Sequence, residues 1–283
     1  RLAPRLNALG RMQEARGGVQ LMVSQEPDEA WALAQLMNQE NSRRQALERQ
    51  MIHEIEELWK ADPALEKGKS LVLSSEDWPR GILGLVASRL VERWARPVFL
   101  FTIEGDSAHG SGRSVEGLHL FKGLESLESY LLGYGGHAAA AGASLRTENL
   151  PAFAQAFESL ARASIGEMVP EPTLIIEGEI GFHQLMKEVA PHLPRLSPFG
   201  AENPEPLLAT RGIRVKSVRI VGQGHLRLRL EQDGLFMDGI GFGMGDQAIN
   251  PGGSIDLAYT PYLSNGNGRA FLELRLRDIK KGD

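Results

Sequence analysis

Two glycine-bearing stretches hold the residues best suited to grip an anion. In GSGRS, 110–114, glycines let the backbone approach a ligand closely, and consecutive amides of such a turn can form an anion nest. Gly112 allows that approach, Ser111 and Ser114 add hydroxyl donors, and Arg113 carries a planar fork that matches two phosphate oxygens. The competing reading is a flexible surface turn with a solvated arginine. In YGGHAAAAG, 134–142, Gly135 and Gly136 precede His137, and four alanines follow. His137 can donate to a phosphate oxygen or transfer a proton, although a lone histidine is more often structural. The two stretches flank one predicted helix, and they are expected to converge on a single phosphate.

Arginines also cluster at the start of the chain and again over 206–230. RLAPRLNALGRM, 1–12, places arginines at 1, 5 and 11 among Pro, Asn and Gly. Read as an arginine-rich turn, it suits a phosphate chain, with Arg5 and Arg11 as the candidates; read plainly, it is a solvated helix start. From Pro206 to Leu230 there is no Asp or Glu, yet Arg211, Arg214, Lys216, Arg219, Arg227 and Arg229 all occur. In HLRLRLEQ, Arg227 and Arg229 are two apart and share one face of a strand, with Leu226, Leu228 and Leu230 on the other. A basic face on a β-barrel is what a single-strand groove needs, and the bland alternative is a solvated charge stripe. No Asp-His-His run and no HExxH is present, and the seven histidines are scattered, so no metal-ligand set is expected within the chain.

The elements that must position these residues follow from periodicity. Apolar residues recur at helical spacing from Pro27 to about Lys60 as one long helix with room for a break. KGKSLVLSS (67–75) and PVFLFTIEG (97–105) read as strands around a turn and helix in DWPRGILGLVASRLVERWARP (77–97), with SAHGSGRS (107–114) a candidate third strand. Helices follow over about 118–132 and from Pro151 to about Ser164. VPEPT (169–173) reads as a linker. TLIIEGEIGF is a strand, and five more strand candidates separated by glycine turns suggest a small all-β barrel. The expected layout is a connecting segment and long helix (1–60), an α/β domain with a mixed sheet and flanking helices (61–168), and the barrel (169–283).

Composition bounds the class. With 283 residues the chain exceeds one ordinary core. A net charge of −5 excludes a surface that is basic throughout, so any nucleic-acid contact must be local. No apolar run approaches the roughly 18 residues of a membrane span, so no membrane contact is expected. Cysteine is absent, which excludes disulfides and thiolate metal sites and fits a cytoplasmic location. The chain opens on Arg1 without a preceding strand or cap and reads as the C-terminal portion of a longer protein.

APRLNALGRM, GILGLVASRLVERWARPVFLF, GSGRS, GGHAAAAG and LSPFGAENPEP, in this order, resemble the RecJ family, single-strand-specific DNA exonucleases of the DHH phosphoesterase superfamily. The resemblance implies that 61–168 is a DHH-associated domain and 169–283 an OB-fold. It implies a 5′→3′ single-strand DNA exonuclease of recombination and repair whose manganese or magnesium ions lie in an N-terminal DHH domain outside this sequence. It implies that Ser111 and Arg113 hold a phosphate near the 5′ end, that His137 with the backbone of Gly135 and Gly136 contacts the phosphate being cut, and that Arg5 or Arg11 steadies the strand. Single-stranded DNA is then the main partner, with a single-strand-binding protein and a helicase as further candidates. The rival expectations are a non-catalytic module that binds single strands or a repair partner, and a short-oligonucleotide phosphodiesterase of the same superfamily.

Overall fold

Leu, Ala, Gln, Glu and Arg dominate the first 67 residues, and such helix formers build helices: α1 (Ala3–Met12), α2 (Arg16–Val23), α3 (Pro27–Ala61) and α4 (Pro63–Lys67). The computed structural model describes residues 3–12, 16–166, 173–200, 202–222, 224–266 and 269–282, in two units, 1–172 and 173–283. The arginine-rich start is therefore helical in its described part, not a turn. Pro4 sits in the first turn of α1, where its missing amide costs nothing, and Ala8 is buried.

α3 runs 35 residues without a break. It is no free connector, because Met51 and Ile55 enter the same core as α5 (Arg80–Trp94) and the first strands. Its buried stripe is partly charged: Glu48 is 2% exposed and receives Arg44 at 3.0 Å and Arg89 of α5 at 2.6 Å. Leu58, near the C-terminal end of the same helix, is exposed.

Five strands form the sheet of the first unit: β1 (Leu71–Ser75), β2 (Val98–Glu104), β3 (Ser107–Arg113), β4 (Leu131–Gly136) and β5 (Ala140–Arg146), in the order β1-β2-β3-β5-β4. β1 and β2 are parallel and the other pairs antiparallel, a mixed sheet as expected. The two-residue period of β2 decides what covers each face. Val98 and Leu100 pack with Ile82, Val86 and Leu90 of α5. Phe99 and Phe101 pack beneath α6 (Leu120–Ser126) and α7 (Leu150–Ile165), against Phe153 and Phe157. Each buried phenylalanine contributes about 1.5–3 kcal/mol.

The barrel comprises β7 (Leu208–Val221), β8 (His225–Gln232), β9 (Leu235–Gly241), β10 (Ser254–Gly266) and β11 (Arg269–Lys281); β6 (Gly178–Glu179) is a short parallel addition to β7. Pairing of β10 with β7 closes it. Of the strand expected at TLIIEGEIGF only β6 forms, and Ile175 is 85% exposed.

Tyr259 lies at the barrel core, fully buried, its hydroxyl 2.8 Å from that of Thr210. Burial pushes the phenol up from 10.0 to about 12. Above pH 10 the unfolded chain ionises this group while the folded barrel does not. Stability from this group is therefore complete below pH 10 and lost as pH rises toward 12. Urea midpoints of the native chain are expected to fall more steeply across that window than those of Tyr259→Phe; parallel curves would refute the assignment.

Candidate nucleic-acid interface

GSGR is the second half of β3, a central strand paired with β2 on one side and β5 on the other. Its amides are committed to the sheet, so the expected nest does not form. The strand's alternation sorts its residues. Placing a Cβ on Gly110 or Gly112 would bring it within 2.5 Å of the rings of Phe101 or Phe99. These glycines exist so that phenylalanines can lie on the strand. Gly112 is therefore a packing residue rather than an anion contact.

The opposite face of β3 carries His109 and Ser111, which line a groove of about 450 Å³ beside Arg80 and Leu83 of α5. Gly133, Gly135 and Gly142, from β4 and β5, also line it, so main chain is exposed where side chains are missing. Arg113 follows on the same strand. Its Nε donates to Ser88 Oγ of α5 at 3.1 Å, and Nη1 donates to Ser111 Oγ at 3.2 Å and to the Gly112 carbonyl at 2.7 Å. The fork is held rather than solvated, which removes the flexible-turn reading.

YGGHAAAAG is a β-hairpin, β4 turning into β5. The helix expected over 118–132 ends at Ser126, because Leu131 onward joins the sheet. β5 then lands beside β3, with Arg113 opposite Ala140. The His137 amide donates to that same Ala140 carbonyl at 2.8 Å, and the Ser114 amide donates to the Ala139 carbonyl at 2.9 Å. The two sequence stretches thus meet backbone to backbone at one corner of the sheet, with His137 exposed at the turn.

The remaining assignments divide. Ser114 Oγ donates to the Leu118 carbonyl at 2.7 Å, so it stabilises the turn rather than offering a free hydroxyl donor. Gly136 has φ +146, and a Cβ there would lie 2.4 Å from the Ala140 carbonyl oxygen; only glycine fits. Gly135 meets nothing within 4 Å and is open. Arg5 Nε donates to Asn38 Oδ1 of α3. The side chain of Arg11 lies outside the described residues. Ser88 and Gly84 of α5 were missed; a glycine inside a helix one turn before a serine was the available signal.

In the barrel the six expected cations do not share one groove. A bulge between Val215 and Ser217 shifts the β7 register and flips its side-chain phase. Arg219 consequently sits opposite Arg227, and Ser217 opposite Arg229. These residues and Asp238 line a groove of about 350 Å³. Arg229 pairs with Asp238 at 2.9 Å and lies over the Phe236 ring at 5.4 Å, while Arg227 approaches Glu273 at 3.8 Å. Arg211 is tied to Glu179 at 2.9 Å and Lys216 approaches Glu231 at 3.7 Å; Arg214 faces Glu231 across the strand pair. Sequence reasoning passed over Arg275, which lies 3.5 Å above the Tyr262 ring. The alternation in LELRLR was its signal.

Residues 67–163 match the DHHA1 domain family and residues 176–278 the RecJ OB domain family. The single-stranded-DNA-specific exonuclease RecJ of Salmonella typhimurium is 33% identical over 98% of this chain and 50% of its own length. That of Bacillus subtilis is 30% identical over 98% of this chain and 36% of its own length. The chain thus spans about half, or less, of these relatives. The crystal structure of RecJ in complex with Mg2+ from Thermus thermophilus superposes with a TM-score of 0.80 and 32% identity, covering 100% of this chain and 43% of that one; a second crystal structure of the same protein is in complex with Mn2+.

Proposed function

This chain belongs to the RecJ family, and on that premise we propose that it is the strand-holding part of a 5′→3′ single-strand-specific DNA exonuclease used in recombination and repair. The observation that carries the reading is the corner where Ser114 bonds to Ala139 and His137 to Ala140, setting the arginine-bearing strand beside the histidine turn. Arg113 and Ser111 take the 5′-terminal phosphate. His137, with the exposed main chain of Gly135, contacts the next phosphate and stabilises charge on its oxygens or passes a proton at the bond being cut. Arg5 and Arg11 steady the strand.

Manganese or magnesium would supply the activated water of such a hydrolysis. Among the described residues no three His, Asp or Glu side chains come together, so those residues offer no set of ligands for an ion. The ions of the intact enzyme would be held outside it, and no step here runs through them. The chain alone is expected to bind labelled single strand in the presence of manganese without shortening it; shortening would overturn this division of labour. Among the described residues no helix is long and apolar enough to cross a membrane. The setting proposed is cytoplasmic, with a single-strand-binding protein and a helicase as partners.

The barrel holds the strand further along, through Arg219, Arg227 and Arg229. Arg219 forms no ion pair or hydrogen bond among the described residues, while the other two would share phosphate with Asp238 and Glu273. Replacing Arg219 and Arg227 by alanine is expected to flatten the plot of log affinity against log salt by roughly 0.7 per lost phosphate contact. Titrations from low to moderate salt with a labelled oligonucleotide measure it. An unchanged slope would remove the barrel groove from the interface.

A further inference from the structure

Glycine is a poor residue for a helix interior, yet Gly84 is buried in the second turn of α5. A Cβ there would lie 2.6 Å from Arg113 Nη2, 2.9 Å from Ser111 Oγ and 3.2 Å from Arg113 Cζ. Any side chain at 84 therefore occupies the seat of the guanidinium. Ser88 stands one turn on. Its hydroxyl has a single hydrogen, and that hydrogen goes to the Gly84 carbonyl at 2.9 Å. Toward Arg113 the oxygen can then only accept, and it accepts the Nε hydrogen at 3.1 Å. Nη1 is held in turn by Ser111 Oγ and the Gly112 carbonyl. α5 and β3 together fix both ends of the guanidinium plane.

This arrangement has a chemical consequence at Ser111. Its oxygen accepts from Arg113, so its own hydrogen stays available, and no acceptor for it is found among the described residues. The same hydroxyl lines the open groove. A phosphate entering there meets a hydroxyl donor whose oxygen is already held by the Arg113 guanidinium, and the rotamer freedom of that long arginine has been given up before binding.

We propose that Gly84 and Ser88 are positioning residues for phosphate recognition: the glycine leaves the space, and the serine sets the orientation, in which Arg113 meets the terminal phosphate of a single strand. This rests on the reading that Arg113 holds that phosphate. Neither residue is placed in contact with the ligand; both act through the guanidinium.

The test compares 5′-phosphorylated and 5′-hydroxyl oligothymidylates of equal length binding to this chain, by fluorescence anisotropy at fixed salt. The native chain is expected to prefer the phosphorylated strand. Ser88→Ala is expected to cut that preference about three- to tenfold with the 5′-hydroxyl strand and the thermal midpoint little changed. In an Arg113→Ala background, Ser88→Ala is expected to do nothing further, the signature of action through one group. Gly84→Ala should act in the same direction; should it fail to fold, Ser88→Ala decides alone, since it removes only a hydroxyl. A preference that depends on Arg113 but survives Ser88→Ala ends this inference and leaves the Arg113 site standing. A parallel loss for both strands, with a lowered thermal midpoint, makes Ser88 merely structural and also ends it. No preference in the native chain, or one indifferent to Arg113→Ala, ends the Arg113 reading and this inference together.

Discussion

Arg113→Ala is expected to weaken binding of a 5′-phosphorylated single strand by about ten- to a hundredfold while a 5′-hydroxyl strand binds almost as before. The size follows from what is removed. A guanidinium brings a permanent positive charge to a phosphate, and charge-assisted bonds are about twice as strong as neutral ones. Here the fork is also set in place beforehand by Ser88, Ser111 and the Gly112 carbonyl. Arg113→Lys should recover little, because an ammonium cannot reach Ser88, Ser111 and a ligand from one plane. Anisotropy titrations with both strands measure the effect. Equal losses on both would mean that Arg113 contributes only general charge, and no loss would mean that its role is confined to the fold.

The second large effect concerns stability. Gly112→Ala is expected to destabilise the first unit by about 3 kcal/mol, at the upper end of ordinary overpacking. The new methyl would lie 2.5 Å from two atoms of the Phe99 ring. That ring has little room to yield, with Phe101 stacked at 4.9 Å and Phe153 and Phe157 set edge-on at 5.6 and 5.9 Å. Gly135→Ala is the matched control. Nothing lies within 4 Å of its added methyl, so its stability should move by less than about 0.5 kcal/mol. Urea midpoints separate the two. A Gly112→Ala chain as stable as the native one would show that this glycine is kept for a ligand and not for the phenylalanine core.

That contrast marks what local sequence can and cannot say. Both glycines stand in short, polar, glycine-rich stretches, and both read as places where a backbone approaches an anion. A glycine records only that something must come close. Whether the visitor is a phosphate or a phenylalanine ring depends on β2, which lies about ten residues earlier, and on α7, which lies some forty residues later. The arginine spacing in the barrel misled for a related reason. Counting by twos along β7 gives the face of each residue only while the register holds, and one extra residue at Lys216 reverses it.

Legible along the chain are the elements whose signal is periodic and near: the long helix, the first three strands of the α/β sheet, the five barrel strands and the order of motifs that resembles RecJ. Alternation and helical spacing are imposed by backbone geometry, so they are written into each segment. Folding alone reveals that β5 lies beside β3, that His137 and Arg113 share a corner, and that Gly84 and Ser88 make the seat of a guanidinium belonging to another element. Those are contacts between residues far apart in sequence, chosen by how two faces of a sheet bury their apolar side chains. No pattern within a single segment encodes which distant partner fills the space it leaves open.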